Sequence, residues 1–149
     1  MEEKENLMII GKLWRKRKME IREIIKLYEL GFMDQQGNIC EDIVSEIGYE
    51  DGHLLGSWYG EFIPCGCEVL LLDMEWKLKK DYYLKGNGEF QETLSKMFSI
   101  MQFALSEDVK ALCACDKAME YYFEKFIRGY EDTVLDRLVC HRVCKRKKR

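Results

Sequence analysis

Between Leu72 and Lys79 the sequence alternates apolar and charged residues without a break: Leu72, Met74, Trp76 and Leu78 against Asp73, Glu75, Lys77 and Lys79. A two-residue period puts the first set on one face of an extended chain and the second on the other. The run therefore predicts a β-strand with one buried and one charged face. Just upstream, residues 54–63 (Leu-Leu-Gly-Ser-Trp-Tyr-Gly-Glu-Phe-Ile) carry large residues and glycines at strand-like spacing, and Pro64-Cys65-Gly66-Cys67 supplies a tight connection. Together they predict a β-hairpin over 54–79. The expected fold is α+β, a central hairpin packed against four or five helices.

The helices are expected on either side of that hairpin. Over residues 3–30, Leu7, Trp14, Ile21 and Tyr28 recur every seven residues, with Ile10 and Ile24 between them and Gly31 as the stop. Arg17 interrupts this stripe, which packs on the domain's own core or leaves a helix-mediated homodimer open. Asp34-Gln35-Gln36-Gly37-Asn38 reads as a turn. Ile39, Ile43, Val44 and Ile47 then suggest a short helix closed by Gly48. After Gly86-Asn87-Gly88, an apolar face runs from Phe90 through Leu94, Met97, Phe98 and Met101 to Leu105. Residues 109–115 fit either a third strand or the start of a helix capped by Ser106, with Glu107 and Asp108 in its first turn. Met119 to Ile127 is helical, ended by Gly129, and a last helix covers 132–144.

A chain of 149 residues suits one domain, 1–149, with a flexible basic tail at 145–149. An apolar fraction of 47% excludes a disordered polymer. The longest uncharged apolar run, Val69-Leu70-Leu71-Leu72, is far too short to cross a membrane, and Met1-Glu2-Glu3-Lys4-Glu5 is acidic where a signal peptide is basic. No membrane contact and a cytoplasmic location are expected.

Charge is laid out in blocks. Residues 1–26 carry a net charge of +3, residues 27–76 a net charge of −11 without one Lys or Arg, and residues 77–149 a net charge of +5. Unless basic helices fold back over it, the middle block projects carboxylates, with Glu41, Asp42, Glu46, Glu50 and Asp51 as the expected contact residues. Such a surface steers a basic partner protein. A small non-enzymatic regulatory or inhibitory protein is the function this layout favours, its carboxylates standing where the phosphates of a nucleic acid would sit. The clusters Arg15-Lys16-Arg17-Lys18 and Lys145-Arg146-Lys147-Lys148-Arg149 offer a separate route to nucleic acid through phosphate contacts.

Two alternatives carry chemistry. On the polar face of the expected strand, Asp73, Glu75 and Lys77 lie side by side, and two carboxylates with a lysine can hold Mg²⁺ and stabilise a developing phosphate charge. Leu70-Leu71-Leu72-Asp73-Met74-Glu75-Trp76-Lys77 resembles the (D/E)xK strand of the PD-(D/E)xK nuclease-like superfamily, and the resemblance covers roughly residues 50–128. It implies a Mg²⁺-dependent nuclease using Asp73, Glu75 and Lys77, with Glu61 or Asp51 as the acidic ligand from the preceding strand. The second alternative is a zinc-stabilised module. Among seven cysteines, Cys65 and Cys67 flank a turn, and Cys140 and Cys144 share one helical face. Outside these alternatives no cofactor is expected.

Overall fold

The structure, a computed structural model, describes residues 19–64, 66–102 and 106–147, with side chains described as far as Val139. Six α-helices follow one another among these residues: α1 (Ile21–Glu29), α2 (Glu41–Phe62), α3 (Val69–Lys80), α4 (Asn87–Ile100), α5 (Glu107–Cys113) and α6 (Asp116–Lys147). A π-helical turn, Asp81–Lys85, continues α3. The described residues contain no strand, only one isolated antiparallel bridge between Met33 and Ile39.

The expected α+β fold is thereby corrected to all-α. The alternating run at 72–79 lies in α3, where Leu71, Glu75 and Leu78 face inward at helical spacing. Two periodicities were written into the same residues, and composition decided between them. Leu, Met, Glu and Lys are strong helix formers, whereas the β-branched residues that stiffen a strand are confined to Val69. The would-be first strand, 54–63, belongs almost wholly to α2. Residues 109–115 take the helical alternative: the Ser106 side chain accepts a hydrogen bond from the Val109 backbone N–H at 3.3 Å and caps α5. Of the expected helix at 3–30, the part through residue 18 lies outside the described residues, and α1 covers its end.

The dominant interface joins α2 to α6, and glycine makes it. Gly48, Gly52, Gly56 and Gly60 recur every four residues along α2, so they form one row. A Cβ at Gly48 would overlap the Tyr122 carbonyl of α6, one at Gly52 the Phe126 carbonyl, and one at Gly56 the Thr133 hydroxyl. From the other side, a Cβ at Gly129 of α6 would overlap the Tyr49 carbonyl. Successive α2 glycines thus meet successively later α6 residues, so the two helices run parallel with their backbones in contact. Neither Gly48 nor Gly129 ends a helix, as the sequence had suggested; both lie inside one because side-chain volume there would force the pair apart.

Hydroxyl groups fasten the pair from both directions. Tyr49 of α2 donates to Asp132 at 2.6 Å, and Tyr122 of α6 donates to Asp51 at 2.8 Å. The fully buried Tyr130 donates to the Leu71 carbonyl at 2.7 Å and ties α3 to α6. Around these, Phe90, Phe123, Phe126 and Tyr82 interlock, with Tyr82 stacked on Phe123 at 4.0 Å between ring centres. At the π-turn the buried Asp81 accepts from Thr93 at 2.6 Å and pairs with Lys85 at 3.7 Å. Local stops behave as their residues dictate. Gly31, at φ +82°, ends α1 in a Schellman arrangement with Phe32 N–H on the Leu27 carbonyl, and the Asp34 carboxylate collects the N–H groups of Gln36 and Asn38. No helix among the described residues is long and apolar enough to cross a membrane.

The glycine row gives a paired test. Gly52→Ala drives a methyl into backbone and lowers stability by about 1–3 kcal/mol despite the better helix propensity of alanine. Gly60→Ala, where the nearest atom outside its own helix turn is 3.8 Å away, raises stability by up to about 1 kcal/mol. Urea denaturation of the two variants measures both signs.

Candidate functional site

Because α2 and α6 touch along the glycine row, their outward-facing side chains form the two walls of a shallow groove. Asp42, Glu46 and Glu50 are spaced by four on α2 and stand exposed on one wall, with Glu41 beside them in the first turn. Tyr49 lies between them, its hydroxyl committed to Asp132. Lys125 and Arg128 of α6 line the opposite wall, and the space enclosed is about 770 Å³. No ion pair joins Glu41, Asp42, Glu46 or Glu50 to a cation among the described residues. Glu41 and Asp42 also sit in the first turn of α2, where acidic side chains complement the helix dipole.

Asp51, the fifth acidic residue expected at this surface, is turned away. It is half-buried and receives the Tyr122 hydroxyl. Burial pushes its carboxyl above the usual carboxylate range, while the tyrosine hydrogen bond works against that shift. The sequence placed Asp51 beside Glu50 in number, but one helical step of about 100° separates an exposed residue from a packed one.

Further along α2 the groove continues past His53, Leu54 and Ser57 and reaches Glu61 opposite Asp136 and Arg137. Arg137 donates to the Gly60 carbonyl, and its Nε lies 3.6 Å from the buried Glu68 carboxylate, so this cation is held by the fold. His53 Nδ1 and Ser57 Oγ are 3.5 Å apart, a long contact on one helix face. Nucleophile activation needs a third group orienting the base, and among the described residues none hydrogen-bonds the His53 ring.

The residues assigned to a nuclease site do not converge. On α3, Asp73 and Lys77 are exposed whereas Glu75 faces the core, since alternate residues that share a strand face lie about 200° apart on a helix. Glu61 belongs to α2 and the far end of its groove. The strand on which the nuclease resemblance rested is a helix, so the side-by-side carboxylates and lysine are not formed. For the zinc alternative, Cys67 is exposed, Cys65 lies outside the described residues, and so do the side chains of Cys140 and Cys144, whose backbone belongs to α6. No group of three metal-ligating side chains forms among the described residues. Arg15-Lys16-Arg17-Lys18 lies outside them as well, and the basic run from Lys145 continues α6 as far as Lys147.

Glu75 instead is the buried member of a small network that reaches the surface. Lys79 Nζ lies 3.3 Å from Glu75 and 3.4 Å from Glu131 of α6, one ammonium between two carboxylates. Burial, together with the hydrogen bond to Glu131 and its like charge, pushes the Glu75 carboxyl up to about 7, against the pull of Lys79. The sequence named Lys79 only as part of a charged face and gave no sign of Glu131, Lys125 or Arg128 as groove or network residues. The last two could be seen only as polar gaps, three residues apart, in the aromatic stripe of α6.

No protein-family model matches the sequence, and neither a curated protein nor a solved structure matches the chain.

Glu75 yields a pH prediction. Its folded value near 7 exceeds the 4.5 of a free glutamate, so the folded chain binds the extra proton. The associated stability is fully present below pH 4.5 and is lost as pH rises toward 7. Glu75→Gln removes that loss. The variant exceeds the parent chain by on the order of 1–3 kcal/mol at pH 8, with the gap closing toward pH 4.5, as read by urea denaturation at a series of pH values.

Proposed function

We propose that this chain is a small non-enzymatic binding protein whose α2–α6 groove receives a basic segment of a partner protein and thereby regulates or inhibits that partner. One observation carries the reading: Glu41, Asp42, Glu46 and Glu50 stand exposed along one helix face with no ion pair among the described residues. Surface carboxylates of a compact domain are ordinarily interspersed with cations, and here a row of them is left for an outside charge.

The groove gives the partner a shape. The acidic row from Glu41 to Glu50 is about 13 Å long at the helical rise and the groove continues past it along α2, so it matches a helical or extended peptide segment rather than a small molecule. Glycine packing holds that wall rigid, and a rigid row of charges loses little entropy on binding. Lys125 and Arg128 on the facing wall reject segments of the wrong charge pattern and set register, as like-charge juxtapositions do at protein interfaces. A nucleic-acid-handling protein offers such a basic segment, its lysines and arginines placed to meet phosphates.

A lysine-rich peptide labelled with a fluorophore serves as probe. Its affinity for the full chain falls steeply with added salt. The triple variant Asp42→Asn, Glu46→Gln, Glu50→Gln weakens binding about tenfold or more. Neutralising three exposed carboxylates elsewhere, Glu92→Gln, Glu107→Gln and Glu120→Gln, leaves it nearly unchanged. Equal losses in both triple variants would mean non-specific charge attraction and would defeat the assignment to α2.

A further inference from the structure

From the outward face of α3 we infer that the chain forms a two-fold symmetric homodimer through that helix, a surface apart from the acidic groove. Among the described residues Val69, Trp76, Tyr83 and Leu84 stand exposed along this face, with Leu70 and Leu72 exposed on its two opposite flanks. Trp76 is 69% exposed and Leu84 76% exposed, values far from those of residues that merely edge a core. Six large apolar side chains exposed along α3 and its π-helical turn exceed the scattered single residues usual on a soluble monomer.

The order of residues on this face selects the occupant. Read from the amino end, the exposed side chains are apolar (69, 70, 72), acidic (Asp73), aromatic (Trp76), cationic (Lys77, Lys80) and apolar again (83, 84). An antiparallel copy related by a two-fold axis between Trp76 and Lys77 sets each class against its complement. Asp73 then meets Lys80 of the second copy, Trp76 meets Lys77, and the apolar ends meet each other. Every such contact occurs twice, as an isologous interface requires. Asp73, Lys77 and Lys80 make no ion pair among the described residues, so these charges are unengaged by the chain that carries them. An ammonium over an indole adds a cation–π attraction at the centre. A lipid surface or an unrelated helix would satisfy the apolar residues but would leave the placement of Asp73 opposite Lys80 without a counterpart.

Sedimentation equilibrium of the full chain from about 1 to 100 µM tests this. Two chains per particle are expected in the upper part of that range. Trp76→Ala and Lys80→Asp each raise the dissociation constant about tenfold or more. Asp73→Lys combined with Lys80→Asp returns it to near the parent value, because the pair is exchanged rather than removed. Far-ultraviolet circular dichroism checks that the variants, all at exposed positions, keep their helices. A chain that stays single throughout leaves the face to a foreign protein or a lipid and overturns the proposal. So does a dimer indifferent to Trp76→Ala, or a charge-swapped double variant no tighter than Lys80→Asp alone.

Discussion

Backbone contact between α2 and α6 is the constraint from which the rest of the fold follows. A helix with glycine at 48, 52, 56 and 60 loses about 1 kcal/mol per glycine relative to alanine when considered alone. Only close packing offsets that cost, and the carbonyls of Tyr122 and Phe126 occupy the space the missing side chains would have filled. At such an approach dispersion contacts form along the whole seam, and the tyrosine–aspartate hydrogen bonds at Tyr49 and Tyr122 come within reach.

Parallel direction then sets the topology. Two adjacent helices can be joined by a short loop only if they run antiparallel, so the chain must travel from the end of α2 back to the start of α6. Helices α3, α4 and α5 make that return and cover the inner faces of the pair on the way. Their anchoring points are polar groups satisfied deep in the structure: Tyr130 on the Leu71 carbonyl, Tyr59 on the Met97 carbonyl, Thr93 on Asp81. On an outer face of the pair the acidic row of α2 lies across the groove from Lys125 and Arg128. The groove is thus a by-product of the same seam that holds the molecule together.

Legibility followed the range of the interaction. The Gly31 stop and the Asp34 turn could be read, and the Ser106 cap stood as one of two alternatives, because each is decided within about four residues. Glu41, Asp42, Glu46 and Glu50 were recognisable as a charged surface because a fifty-residue segment without a cation is visible in the sequence itself. Asp51 was misplaced because its burial depends on Tyr122, which is remote in sequence. Glycine carried the opposite of its usual local meaning. At 48 and 129 it reads as a helix end, and its value as a point of close approach exists only once the partner helix is known. The four-residue spacing was the available signal.

By itself the sequence determined which residues are charged, where the cations are missing, and where the Gly31 stop and the Asp34 turn fall, since these depend on composition and on neighbours along the chain. Whether 48–60 would bend or run straight, and which carboxylates would remain in water, were decided by the tertiary structure alone. Those outcomes rest on contacts between segments far apart in the chain. The energy that fixes them, backbone packed on backbone and buried hydroxyls meeting their acceptors, does not exist until both segments are in place.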